Sequence, residues 1–196
     1  MEFEPKFLRH LRRRANQVFA RWRPQPARFV YGPQYQFAWS GVPFDEIRGE
    51  RILTALAAEG LIERDYIRQP PLASYHAILR VHGDAYIDST QSAATMESIL
   101  GMPVGDRDTQ RILDFQRSMV GGTMLATDIA LSTGNIAINL GGGFHHARAD
   151  VGRGFCVYND VAVAIAEQRA LGFHGKILVI DRDMHDGDGT RTIFAA

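Results

Sequence analysis

Within eight residues the chain places Asp181, Asp183, His185, Asp186 and Asp188, in the stretch KILVIDRDMHDGDGT. In extended backbone alternate side chains point the same way, so Asp181, Asp183 and His185 face one cavity while Arg182 and Met184 face away. Carboxylate and imidazole together suit zinc or another divalent transition metal. Like charges at this spacing repel one another in a low dielectric, which favours a bound cation. The glycines at 187 and 189 allow backbone to approach it. A calcium loop of the EF-hand type is disfavoured, because the sixth position counted from Asp181 is Asp186 and an apolar run precedes the loop. A solvated acidic turn capping the next helix stays open as an alternative.

The second cluster is NLGGGFHHARAD, from Asn139 to Asp150. Adjacent histidines diverge in regular structure, but after Gly141, Gly142 and Gly143 both rings can converge on one cavity. Imidazoles beside a metal-bound water can move its proton, and each needs a partner on its other nitrogen to fix the tautomer. Asp181 and Asp188 are the candidate partners. His10, His76, His82 and His174 are isolated and read as structural.

These residues need elements to hold them. IAINL reads as a short buried strand that ends in the three glycines, and KILVID as a second one. Between them NDVAVAIAEQRALG reads as a helix, capped by Asn159 or Asp160 and closed by Gly172. Strand, helix, strand with apolar strands predicts a parallel sheet covered on both faces. Sites in such sheets lie beyond the carboxyl ends of the strands, where both polar clusters fall. Upstream, Phe29 to Tyr31 and DYIRQ read as short strands and FDEIRGERILTALAAEGL as a helix. Further helices are expected over Leu72 to Arg80, Asp84 to Ser89 and Asp106 to Leu131. The last contains Gly121 and Gly122, each costing ~1 kcal/mol relative to Ala, which implies close approach of another backbone, with a break in the helix as the alternative.

The bulk properties suit one soluble domain: 196 residues, 45% hydrophobic and 22% charged. No stretch approaches the roughly 20 apolar residues of a membrane span. A single cysteine, Cys156, excludes an internal disulfide and a cysteine-based zinc site; with no secretory signal pattern, a cytoplasmic location is expected. Residues 1–28 carry eight of the 22 basic residues and two of the 22 acidic ones, leaving the rest at a net charge of −6. This arm is amphipathic through Phe3, Phe7, Leu11, Val18 and Trp22. It reads as a helix docked on its own domain or a frayed arm, with a partner-binding, membrane-surface or targeting segment as the alternatives. No basic patch outside it supports direct nucleic-acid binding.

Three ordered motifs, GGGFHHA, then GFCVYND, then DRDMHDGDGT, resemble the histone deacetylase family, which includes bacterial acetylpolyamine amidohydrolases and acetoin-utilisation proteins. Weaker likeness reaches back through RVHGDAYID and RGERILTALAAEGL, so the resemblance covers roughly 29–196. It implies an α/β fold of the arginase/deacetylase type, a parallel sheet flanked by helices, with 1–28 as a separate basic arm. It implies that Asp183 and His185 are two of three zinc ligands, that His146 is the general base and acid with Asp188 as its partner, and that His145 acts electrostatically with Asp181. Gly154 and Phe155 then belong to an acyl-lysine tunnel, and Phe144 stands where the family usually has Trp or a similar aromatic. Main-chain oxygens of Asp181, Asp183 and His185 are a further candidate site for K+ or Na+. The implied reaction is metal-assisted hydrolysis of an acetylated or acylated amine such as acetyl-lysine or acetylpolyamine. Manganese chemistry of the arginase type is a sister activity on the same fold, and the adjacent histidines with GFCVYND favour the deacetylase side.

The family's third zinc ligand and its oxyanion-stabilising tyrosine lie downstream of DGDGT and have no counterpart in these 196 residues. The resemblance therefore implies the N-terminal part of a deacetylase domain, C-terminally incomplete. The readings are part of a longer zinc-dependent deacetylase, a catalytically inactive deacetylase-like binding or interaction module, or one half of a site finished by a complementing chain. In the last two, an exposed apolar sheet edge predicts a homo-oligomer or an obligate partner.

Overall fold

The computed structural model describes residues 6–20, 27–37 and 45–195. Helix α1 is Lys6–Ala20, followed by strand β1, Arg28–Val30, and helix α2, Arg48–Ala58. Strand β2 is Ile67–Arg68; helices α3, Tyr75–Ile78, α4, Asp84–Ser89, α5, Ala93–Leu100, and α6, Asp106–Thr133, come next. Strand β3, Ala137–Asn139, helix α7, Asp160–Ala170, and helix α8, Asp188–Phe194, complete the order. The sheet runs β2-β1-β3, parallel throughout, with Phe29 paired to Ile67 and to Ile138. Helices flank it in an α/β arrangement.

Two apolar clusters hold these layers. Phe29, Leu53 and Ile62 close the sheet against α2. The larger cluster joins α3, α4, α5 and α6 to Val157, Tyr158 and Val163 at the start of α7, with Ile78, Met96, Leu113 and Val120 fully buried. Both glycines inside α6 sit at close approaches. A Cβ at Gly121 would strike the backbone carbonyl of Pro71, and one at Gly122 would strike the Tyr35 hydroxyl. The backbone expected near this pair is therefore the segment at Pro71, together with the Tyr35 side chain. Helix α5 escaped the sequence reading, although Ser92 caps it by accepting from Thr95 N–H at 3.2 Å and Gly101 ends it in the left-handed conformation at φ 67°.

One element differs from expectation. Lys176–Ile180 forms no strand; Leu178 is 81% exposed and Ile180 73%. A strand needs a neighbour to accept and donate its backbone hydrogen bonds. Instead of a ladder, a cleft of about 580 Å³ opens among β3, α6, α7 and this segment, lined by Ala137, Leu178 and Ile180. Among the described residues the run pairs with no other strand. The arm is helical, but its apolar side chains at Phe7, Leu11 and Val18 are exposed rather than packed. Phe3 and Trp22 lie outside the described residues.

Candidate functional site

The site begins at the carboxyl end of β3. Asn139 accepts from the Tyr35 hydroxyl at 2.7 Å and donates to Met119 O at 3.0 Å and to Thr123 Oγ1 at 2.9 Å, so the strand end is tied to α6. The chain then turns through Gly142 and Gly143 at φ 83° and 82°, a conformation that strains any side chain with a Cβ. Asp160, buried at the first position of α7, organises that turn. Its carboxylate accepts from Gly143 N–H at 3.1 Å, Phe144 N–H at 2.7 Å and the Thr123 hydroxyl at 2.6 Å. The neighbouring Asn159 caps α7, accepting from Ala162 N–H at 3.0 Å.

Asn159 also joins the two polar corners. Its amide donates to Ala147 O at 3.0 Å and to Thr190 Oγ1 at 2.9 Å, from a fully buried position. Thr190 N–H donates to His145 O at 3.1 Å, and Gly189 lies so close to the carbonyls of His145 and Ala147 that no Cβ fits there. The first turn of α8 is thereby fastened to the histidine pair. His82 supports this knot from behind: its Nε2 accepts from Asn159 N–H at 3.0 Å.

The imidazoles of His145 and His146 lie 4.2 Å apart between centroids, tilted by 55°. His145 Nδ1 is 2.6 Å from Asp181 Oδ2, and His146 Nδ1 is 3.1 Å from Asp188 Oδ1. Asp188 is held further by Arg148, whose Nη2 donates to Oδ2 at 2.7 Å, and by Arg153, whose Nη2 donates to Oδ1 at 3.4 Å. Burial opposes its ionisation, but the hydrogen bonds from Arg148 and His146 and the charges of both arginines outweigh that and lower it to about 2. Asp181 is lowered as well, first by the His145 hydrogen bond and then by the Asp183 N–H. Both carboxylates are anions at neutral pH, and each anchors one ring.

The loop after Asp181 is not the extended ladder of alternate side chains that its sequence implied. Asp181 Oδ1 accepts from Asp183 N–H at 3.0 Å, and Asp183 Oδ1 from His185 N–H at 2.8 Å, two successive side-chain-closed turns. His185 still reaches the pair, its ring centroid 5.8 Å from that of His146. Its Nδ1 lies 2.9 Å from Asp183 Oδ1. Two donors bound tetrahedrally to zinc at ~2.0–2.1 Å would stand about 3.3 Å apart. At 2.9 Å these two atoms are hydrogen-bonded to each other and stand closer than that spacing. Among the described residues no group of three or more His, Cys, Asp or Glu is arranged to hold a metal.

Gly154 lies against the His146 ring: a Cβ there would sit 2.8 Å from Cδ2. Phe155 follows with φ 67°, the sole non-glycine residue of the left-handed region among those described. Such a conformation costs on the order of 1 kcal/mol and persists where surroundings enforce it. Gln116 of α6 supplies the enforcement, donating to Phe155 O at 2.9 Å and accepting from Val157 N–H at 3.3 Å. Phe144, half-buried, leads directly into the histidine pair. Cys156 is buried and burial raises its thiol to about 12, so it is inert at neutral pH. Sequence reasoning missed Gln116, Arg148, Arg153 and the loop-organising role of Asp160. Only Asp160 had a local signal, as a cap candidate; the others act on segments remote in sequence.

The small parallel sheet flanked by helices, with the two His–Asp pairs beyond one strand's carboxyl end, superposes on solved structures of the arginase/deacetylase-like α/β fold. The description "Histone deacetylase domain" matches residues 42–196, and the chain belongs to the histone deacetylase family. Histone deacetylase 2 of Arabidopsis thaliana is 34% identical over 172 residues, covering 83% of this chain and 44% of that protein. An uncharacterized protein of Picosynechococcus is 36% identical over 148 residues, covering 74% of this chain and 48% of its own length. Acetoin utilization protein AcuC of Staphylococcus aureus is 28% identical over 162 residues, covering 79% and 41%. The crystal structure of an HDAC homolog from Aquifex aeolicus superposes with a TM-score of 0.65 at 24% identity, over 87% of this chain and 48% of that one. The chain thus spans less than half the length of each of these relatives.

Proposed function

We infer that the chain supplies the histidine–aspartate side of a deacylase site that hydrolyses the amide of an acetylated or acylated amine, such as acetyl-lysine or acetylpolyamine. The observation that carries this reading is the pair of adjacent imidazoles, each held at Nδ1 by a separate carboxylate, 2.6 Å at His145 and 3.1 Å at His146. Asp183 and His185 would hold the ion, zinc or another divalent transition metal, which when bound polarises the acyl carbonyl and acidifies a water. His146, oriented by Asp188, leaves Nε2 for proton transfer: it takes a proton from the attacking water and returns one to the amine nitrogen as the C–N bond breaks. The products are the carboxylate and the free amine. His145, paired with Asp181, stabilises charge beside it. Gly154 keeps the wall of the cavity close to the His146 ring, and Phe155 and Phe144 provide the apolar lining for the acyl-bearing chain.

A second reading, a deacetylase-like binding or interaction module without turnover, is favoured by one observation: the apolar side chains of Ile177–Ile180 are exposed, Leu178 by 81%. In that case the exposed apolar run at Ile177–Ile180 is the surface that a second copy or a complementing chain covers. Native mass spectrometry with zinc, paired with turnover of acetyl-lysine and acetylspermidine reporters, separates the two. Turnover that disappears in His146→Ala supports the deacylase. Zinc binding with no turnover, and partner capture indifferent to His146→Ala, supports the module.

A further inference from the structure

Helix α1 is turned the wrong way round for a helix that serves its own core. Five of its fifteen residues are basic, Lys6, Arg9, Arg12, Arg13 and Arg14, and none is acidic. At about 100° per residue, Phe7, Leu8, Leu11 and Val18 fall within an arc of roughly 100°, with Arg13 and Asn16 on the opposite side. A helix docked for burial turns such a stripe inward. Here Phe7 is 69% exposed, Val18 60%, and Leu8 and Leu11 about half. Among the described side chains, contacts with the body come from the polar flank: Arg12 pairs with the Glu59 carboxylate at 2.6 Å, and Asn16 donates to Glu59 O at 3.1 Å. That carbonyl, at the end of α2, would otherwise lack an intrahelical partner.

We propose that α1 docks the chain on an anionic lipid surface, lying in the interface plane with Phe7, Leu8, Leu11 and Val18 in the acyl boundary. A large amphipathic asymmetry, low overall hydrophobicity and a basic polar face are the physical signature of interfacial helices. The arginines flanking the stripe reach lipid phosphates while their stems cover apolar surface. A second copy of the chain is a poor occupant, because the same cationic rim would face itself. Spanning is excluded for the described residues, since none of their helices is long and apolar enough to cross a bilayer. The proposal stands on α1 alone and is independent of the deacylase reading.

The test is sedimentation of the full chain with vesicles of phosphatidylcholine containing about 30% phosphatidylserine, against pure phosphatidylcholine, at low and high salt. The wild-type chain partitions onto the anionic vesicles and is released by salt. Arg14→Glu, at the edge of the stripe beside Phe7, weakens partitioning by at least about fivefold, the effect of one cation near such a surface. Leu11→Ser weakens it by about tenfold or more. Both positions are exposed, so thermal melts of the variants overlay the wild type. Absence of binding to anionic vesicles, binding that ignores both substitutions, or equal binding to both lipids overturns the proposal. Capture by a polypeptide partner without partition into vesicles overturns it too.

Discussion

Replacing Asp160 should loosen the loop that carries the histidine pair, and its cost follows from three hydrogen bonds. The carboxylate is 1% exposed and accepts from Gly143 N–H, Phe144 N–H and the Thr123 hydroxyl. Hydrogen bonds to a charged acceptor contribute ~1.5–3 kcal/mol each, so Asp160→Ala removes a gross ~5–9 kcal/mol. Relief from burying the carboxylate returns several of these, leaving a net loss of about 4 kcal/mol. For a chain of this size that is a fall of roughly 8–16 °C in Tm. Asp160→Asn is milder, about 2 kcal/mol: its Oδ1 still accepts from Phe144 N–H, and its amide can donate to Thr123, but Gly143 N–H then faces a donor. Thermal and urea denaturation measure the ranking, and amide hydrogen exchange at Gly143 and Phe144 reads the loop itself. Protection of both amides should vanish in the Ala variant while Phe144 keeps part of it in the Asn variant. An Ala variant melting within about 2 °C of wild type, or an Asn variant that costs more than Ala, would refute the reasoning.

The remaining expectations concern pH and packing. Burial lowers His82 to about 4 from 6.5, so the unfolded chain takes up its proton first. Stability is full above pH 6.5 and falls as the pH drops toward 4, by ~3 kcal/mol in total; a native-state imidazole titration near 6.5 would contradict this. Asp188, held at about 2 against an ordinary 3.8, adds stability above 3.8 that is lost as pH falls through about 2. Asp188→Asn should flatten that acid limb in melts taken across the window, and an unchanged slope counts against the arginine clamp. Gly121→Ala places a methyl against the fixed backbone of Pro71 and Ala73, so despite better helix propensity it should lose about 2 kcal/mol in urea denaturation. A stabilised variant would show that α6 and that segment are not packed as described.

Much of this molecule was legible in its residues because local signals agreed. The strands near Phe29, Ile67 and Ile138 were marked by short apolar runs between turn residues, and α6 by a long helical period read to Leu131, which the structure extends to Thr133 before Gly134 ends it in the left-handed conformation. The glycine pair in α6 announced close packing because only a close approach offsets its propensity cost. Lys176–Ile180 misled for a physical reason: hydropathy reports that a segment suits burial in a sheet, while a strand also needs neighbours to pair with, and none is present among the described residues. For the arm, amphipathic period gives the helix but not the direction its stripe faces. The side chains that hold the site in shape were hardest to see. Gln116 sits 39 residues before the Phe155 carbonyl it grips, and Arg148 lies 40 residues from the Asp188 carboxylate, distances that only folding closes.

Convergence of the histidine pair with the acidic loop is tested most directly by nuclear Overhauser contacts among ring protons of the native chain. Cross-peaks should join His146 both to His145 and to His185, whose ring centroids stand 4.2 Å and 5.8 Å from it. A His185 ring that shows contacts only within its own loop, and none to His146, would contradict the site.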